Sequence, residues 1–259
     1  MAKRRHISIV NNRGGVGKST TAVNLAVGLA QKGLRVLLID ADPPGGATQA
    51  MGLVEEASVD KDFYTTADLM AGKPFAPFRD MVGMPGLDFL PATHRLGFLE
   101  PKLYSEGAAG TRRLSEAVEK VAQPYDYVLI DSPPHLGVLM TNVVIAAPEV
   151  LIPVKMDLGS VPQTLALFDY LKDLRTTLQP ALKIVGVLPT FYEERAVTPR
   201  ELHGQLKELF RERLFNTVIH QSRAVADAFG VGRPIVLANP NNRGATEYSK
   251  LTEEIVRRD

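Results

Sequence analysis

Cysteine and tryptophan are both absent from the 259 residues, histidine occurs only 5 times, and no uncharged apolar run approaches the ~18 residues of a membrane span. Each gap removes a class of protein. Without thiols there are no disulfides, no Cys-ligated zinc and no Cys-ligated iron–sulfur cluster. The histidines fall in no H-E-x-x-H or related spacing, so no metal other than Mg²⁺ is expected. His135 and His220 lie close to segments of interest below, but each reads first as a surface or packing residue. There is no G-x-S-x-G nucleophile elbow. The basic residues 1–5 run directly into a β-branched segment, leaving no room for the apolar region and cleavage site of a secretion signal, so a cytoplasmic protein is expected.

What is present describes an ordinary globular chain, 45% hydrophobic and 23% charged. At roughly 150 residues per domain the length permits one large domain or two small ones. With no internal repeat and no low-complexity linker, a single domain over 1–259 is the better count. Thirty basic residues against 29 acidic give a net charge of +1, so no whole-molecule field announces nucleic acid or membrane.

Short β-branched runs alternate with helical periodicity. Residues 7–10, 35–40, 87–90, 127–131, 150–154 and 184–188 read as buried strands. Residues 19–31, 112–121, 139–147, 162–178, 199–211, 224–229 and 246–257 read as helices. The pattern calls for an α/β fold: a doubly wound, mostly parallel sheet with helices on both faces. Residues 55–86, with Pro74, Pro77, Gly83 and Pro85, read as a surface excursion.

Between the first strand and the first helix stands Asn11-Asn12-Arg13-Gly14-Gly15-Val16-Gly17-Lys18-Ser19-Thr20-Thr21. Glycines let successive backbone N–H groups turn toward an anion, and a helix N-terminus adds its positive dipole end. Lys18 can reach the β- and γ-phosphates and Ser19 can offer its hydroxyl to Mg²⁺, so Arg13, Gly14, Gly15, Val16, Gly17, Lys18, Ser19 and Thr20 form a candidate nucleotide-phosphate site. Two other strand ends carry acids suited to the same place. Asp40-Ala41-Asp42-Pro43-Pro44 follows one apolar strand, and Tyr127-Val128-Leu129-Ile130-Asp131 has the Walker B form that holds a hydrated Mg²⁺. Ser19, Asp40 and Asp131 are thus the candidate metal set.

The 11–21 run departs from G-x-x-x-x-G-K-[ST], having Asn12 where the first glycine would stand. It resembles the deviant Walker A motif, K-G-G-x-G-K-[ST], of the ParA and MinD group of P-loop ATPases, with Arg13 in place of the signature lysine. Residues 40–48 resemble that family's switch I, D-x-D-P-Q-G-N-A-T, with Pro44 and Gly46 departing from it. Residues 131–137 resemble its switch II, D-C-P-P-S-L-G, with Ser132 for Cys and His135 for Ser. The resemblance implies ATP and Mg²⁺ as cofactors and an ATP-dependent homodimer, in which the residue at Arg13 reaches the partner's nucleotide. It also implies that Asp42 positions or activates the attacking water, with Asp40 near the metal. Arginine keeps the charge but changes reach and angle; a solvated turn is the other reading of Arg13. Asp42, Lys18 and Arg13 are accordingly the candidate catalytic residues. Residues 219–228 resemble the family stretch I-P-R-N-V-R-L-S-E-A, part of the base pocket in relatives, but His220, Gln221, Ser222 and Ala224 depart from it.

Zero cysteine separates this chain from the nitrogenase iron proteins, iron–sulfur carriers and arsenite pumps that share the loop. Tyr248, Leu251 and Ile255 lie at helical spacing, a stripe expected to dock on the core and not on a membrane, as a MinD-like protein would require. What remains implied is a ParA-type switch for chromosome or plasmid partition, hydrolysing ATP slowly, associated with the nucleoid and stimulated by a ParB-like partner. An orphan relative positioning a protein cargo is the alternative. The phosphate loop begins near residue 11, so no N-terminal helix-turn-helix domain is expected and DNA contact would be nonspecific. Residues 195–259 hold eleven basic against eight acidic residues. Arg211, Arg213 and Arg223 are candidates for a DNA face, a solvated helix surface being the plainer reading.

Overall fold

The computed structural model describes residues 4–53, 64–194 and 196–258. Its strands are β1 (Arg5–Ile9), β2 (Val36–Asp40), β3 (Leu87–Leu90), β4 (Tyr127–Asp131), β5 (Glu149–Lys155) and β6 (Lys183–Thr190). They pair in parallel in the order β3-β2-β4-β1-β5-β6. The helices are, in chain order, α1 (Lys18–Gln31), α2 (Gly46–Ala50), α3 (Thr66–Met70), α4 (Glu100–Ser105), α5 (Arg113–Val121), α6 (Val138–Ala146), α7 (Ser160–Thr177), α8 (Val197–Phe210), α9 (Arg223–Gly230), α10 (Ile235–Ala238) and α11 (Arg243–Arg257).

Successive strand residues point to opposite faces, so each apolar run feeds two cores at once. Val36 and Leu38 of β2, with Tyr127 and Leu129 of β4, pack on the side of α1 and α11. Leu37 and Ile39, with Val128 and Ile130, pack on the side of α5, α6 and α7. Helix α1 lies between the sheet and α11 and is buried along nearly its whole length. A β-carbon on Gly28 would stand 2.3 Å from Thr252 Oγ1, which is how closely α11 approaches α1. Tyr248, Leu251 and Ile255 of α11 are all buried, as their spacing suggested.

Register decides where the acids go. Asp40 of β2 is paired with Asp131 of β4, and Ile9 of β1 with the same Asp131. Two strand-end carboxylates and the start of the loop after β1 therefore emerge side by side at the carboxyl edge of the sheet.

The six strands fall where the alternation placed them, with small shifts at their ends. The excursion expected over 55–86 contains the short helix α3, opened by Thr65 and Asp68 in a reciprocal cap; residues 54–63 of that stretch lie outside the described residues. Helices α2, α3, α4 and α10 have six residues or fewer, too few to display a helical period.

Helix α2 packs against α9 through a backbone contact at its own end. Gly52 and Gly232 both have left-handed φ, and a β-carbon on Gly232 would stand 2.5 Å from Gly52 Cα. Gly232→Ala therefore combines an unfavourable φ with a backbone clash, and should lower stability by about 2 kcal/mol or more in denaturant melts.

Candidate active site

The loop after β1 is shaped by Gly15 (φ 68°) and Gly17 (φ 88°), the latter preceding the first turn of α1. Side chains rarely adopt this backbone, and here it turns amides toward the space above α1. Asn11 pins the loop's start, its Nδ2 donating to Pro153 O at 2.7 Å and its Oδ1 accepting from Arg13 N at 2.9 Å. The far side is pinned by Thr190 Oγ1, which donates to Val16 O at 2.9 Å.

Lys18 is buried, and its Nζ donates to Arg13 O at 3.1 Å. Burial holds its pKa below the ordinary lysine value, while Asp131 and Asp42 pull the other way. Asp131 is fully buried, and neither carboxylate oxygen has a hydrogen-bond partner among the described residues. Its pKa is pushed well above the ordinary carboxylate range by burial and then by the charge of Asp40, with the Ser19 hydroxyl and Lys18 opposing. Asp42 is 9% exposed, its Oδ1 is likewise without a partner, and burial pushes its pKa up to about 6 against the pull of Lys18.

Asp40 is different. Its Oδ1 accepts from Asp42 N at 3.0 Å, and its Oδ2 accepts from Thr48 N and Thr48 Oγ1, both at 2.8 Å. Thr48 Oγ1 in turn accepts from Ala92 N at 2.9 Å, and Thr66 Oγ1 donates to Asp40 O at 2.6 Å. Full burial still lifts the Asp40 pKa to about 6, those hydrogen bonds partly offsetting it. Asp40 thus holds the loop from Asp42 to Thr48 in shape, and Asp131 is the strand-end carboxylate whose oxygens are left without a hydrogen-bond partner.

Ser19, Asp131 and Asp42 together offer hard oxygen donors, two of them ionisable and lacking partners, around a cationic lysine. A divalent cation such as Mg²⁺ fits that donor set. A β-carbon on Gly46 would stand 2.6 Å from Ser19 Oγ, so the glycine at this position leaves the hydroxyl its room.

Arg13 is engaged away from these groups. Its guanidinium NH1 donates to Asp157 Oδ1 at 2.5 Å and to Ser160 Oγ at 3.1 Å, at the start of α7. Asp157 lies beyond any motif, and only the tertiary fold brings it to Arg13. Beyond the loop a cleft of about 250 Å³ continues between Phe191, Ile219, Val225 and Phe229. Ile219, His220, Ser222, Val225 and Ala226 of the 219–228 stretch line it, and Phe191 joins them from the end of β6. His220 also borders the cleft, its Nδ1 2.6 Å from Glu247 Oε1 and its backbone N–H donating to Glu247 Oε2 at 2.9 Å, a packing role. His135 is exposed. Arg211, Arg213 and Arg223 are exposed too, the last pairing loosely with Asp227 at 3.8 Å. No helix of the described residues is long and apolar enough to cross a membrane.

A parallel α/β sheet, a glycine-shaped anion loop at the head of α1 and acidic strand ends beside it define a P-loop nucleotide-binding protein. A family model described as an AAA domain matches residues 4–184. The chain is 36% identical over 257 residues to the chromosome-partitioning ATPase Soj of Thermus thermophilus, covering 99% of this chain and 97% of that protein. It is 34% identical over 258 residues to the chromosome partitioning protein ParA of Caulobacter vibrioides, covering 98% and 95%. Among solved structures, cobyrinic acid a,c-diamide synthase of Mycobacterium smegmatis, with an ATP analogue and magnesium, superposes with a TM-score of 0.79 at 26% identity, covering 98% of this chain and 95% of that one. The chain belongs to the ParA/Soj family of P-loop ATPases.

The raised pKa of Asp42 has a consequence for stability. Between about pH 4, where an unfolded aspartate titrates, and about pH 6, the folded chain holds the proton that the unfolded chain has lost. Stability therefore falls as pH rises through that window, and the penalty is complete above it. In metal-free, nucleotide-free buffer, Asp42→Asn should be more stable than the parent at pH 7.5 by up to about 3 kcal/mol, with the gain vanishing near pH 4. A gain equal at both pH values would contradict the assignment.

Proposed function

We propose that the chain is a slow, Mg²⁺-dependent ATPase that works as a single unit and dimerises on ATP. In that state it binds DNA nonspecifically, and hydrolysis, stimulated by a ParB-like partner, drives chromosome or plasmid partition at the nucleoid. The observation that carries the ATPase reading is the set of unpartnered buried carboxylate oxygens on Asp42 and Asp131 beside Lys18. The names of the relatives, chromosome partitioning in both cases, supply the direction of the output.

In this reading the amides of Gly14 to Thr20 and the Lys18 ammonium hold the phosphates. Ser19 and Asp131 would hold Mg²⁺, which when bound would neutralise phosphate charge. Asp40 keeps the Asp42–Thr48 loop in place. Asp42 orients a water for in-line attack on the γ-phosphorus, accepting its proton as the bond to the bridging oxygen breaks. Arg13, to act across a dimer as an arginine finger does, would have to leave Asp157 and Ser160. A charged residue released from one subunit toward the other couples pairing to nucleotide occupancy. The eleven basic residues of 195–259, Arg211, Arg213 and Arg223 among them, would then be doubled on one assembly.

Retention of the chain on nonspecific duplex DNA is expected with ATP and not with ADP or without nucleotide, weakening steadily across a salt series. Equal retention in all three states would refute the switch, and no retention in any would direct the same ATPase to a protein cargo. Lys18→Ala should abolish nucleotide binding, and Asp42→Ala should keep binding while phosphate release falls by about 10²-fold or more. Arg13→Ala should lose the ATP dimer in sedimentation; an unchanged dimer would remove Arg13 from that role.

A further inference from the structure

The β2–β3 ladder comes apart at its last step, and two threonines fill the gap. Val36 N donates to Gly86 O at 2.8 Å, and the parallel register runs from Val36 opposite Leu87 to Ile39 opposite Leu90. One step further, the evenly spaced bonds of a parallel pair would bring Ala92 N onto Asp40 O. Ala92 N instead donates to Thr48 Oγ1 at 2.9 Å, and Asp40 O accepts from Thr66 Oγ1 at 2.6 Å. Thr66 N also donates to Pro91 O at 2.9 Å, so this one residue stands between the ends of both strands.

Thr66 lies in the stretch expected to be a surface excursion, yet it is fully buried. Its place is set from its own helix. The Thr65 amide and hydroxyl donate to Asp68 Oδ2 at 3.0 and 2.8 Å, while Asp68 Oδ1 takes Lys73 Nζ at 2.6 Å and Arg95 NH2 at 3.1 Å. Asp68, held from three segments, in turn holds the first turn of α3 against the end of β2. Every acceptor of Asp40 is thereby engaged: Oδ1 by Asp42 N, Oδ2 by Thr48, and the carbonyl by Thr66. Two residues further along the chain stands Asp42.

We infer that Thr66 is a positioning residue for hydrolysis: by taking the Asp40 carbonyl it keeps β2 parted from β3 at this point and fixes the direction in which the chain delivers Asp42. The inference rests on the ATPase reading above. Without the hydroxyl, Asp40 O is a buried acceptor with no donor, which is unfavourable, and the bond that the register already offers is the nearest replacement. Ala92 N would turn from Thr48 to Asp40 O and the ladder would close by one step. Thr48, which holds Asp40 Oδ2, would then lose the donor that anchors it. The phosphate loop is pinned separately, by Asn11 and Thr190. Thr66 therefore acts on the rate of hydrolysis and not on the hold on nucleotide.

Phosphate release in a single turnover with Mg²⁺, and ATP affinity measured separately by competition against a fluorescent analogue, test this. Thr66→Val keeps the shape and removes the hydroxyl. It should slow hydrolysis about tenfold or more, with ATP affinity within about twofold of the parent. Thr66→Ser keeps the donor and should restore the rate. Thr66→Ala presses no methyl toward Asp40 O, so it stands in should Thr66→Val fail to fold, and the same loss is expected of it. In an Asp42→Ala background, Thr66→Val should slow hydrolysis no further, because its effect passes through Asp42. An unchanged rate in the hydroxyl-free variants would overturn the inference. So would ATP affinity falling in step with the rate, Thr66→Ser as slow as Thr66→Val, or the full loss repeated in the Asp42→Ala background. A parent chain that binds no ATP or releases no phosphate, or Asp42→Ala at the parent's rate, would instead remove the ATPase reading, and this inference with it.

Discussion

The pairing of β2 with β4 and of β4 with β1 is the constraint on which the rest of the molecule depends. It sets Asp40 against Asp131 and brings the phosphate loop beside both, so three buried carboxylates and one lysine share a small space. Like charges in low dielectric repel, and burial alone disfavours each of them. Burial pushes the pKa of Asp40 and Asp42 up to about 6, and burial followed by the charge of Asp40 pushes that of Asp131 well above the ordinary carboxylate range. A cation bound there would offset that cost, and stability given up at the site would be recovered with it.

The surrounding structure holds that cluster in place. Asp40 spends both oxygens on the Asp42–Thr48 loop, and Thr48 links that loop to Ala92. Gly46 stands back from Ser19, and the Gly52–Gly232 approach fastens α2 to α9, so the loop and the cleft wall share one support. Arg13 is drawn to the other side, to Asp157 and Ser160. The cation that the family resemblance assigns to a partner's nucleotide is thereby satisfied within its own chain.

Much of this was legible beforehand, and unevenly. The loop from Asn11 to Thr21 and the acids at Asp40 and Asp131 were expected from residue types at short spacings next to a strand, and the role of Asp42 from the family resemblance alone. The two-faced core could be read from the alternation of apolar runs. Asp157, Thr48 as a brace, and Phe191 as a cleft wall could not, because each acts through contacts with segments distant in sequence. Residues 219–228 fall between: they resemble a stretch that forms part of the base pocket in relatives, His220, Gln221, Ser222 and Ala224 depart from it, and the cleft they line is completed by Phe191 and Phe229 from outside the stretch.

The sequence by itself determined the sheet type, the anion loop and the acids available to it, since hydrophobic period and glycine placement act locally. Only the tertiary structure decided which acid is free and which is spent. Asp40 and Asp131 are both strand-end aspartates, and their motifs put both in the same candidate metal set. One meets Thr48 and a turning backbone, the other meets no donor of good geometry, and that difference is made by what packs against each strand end.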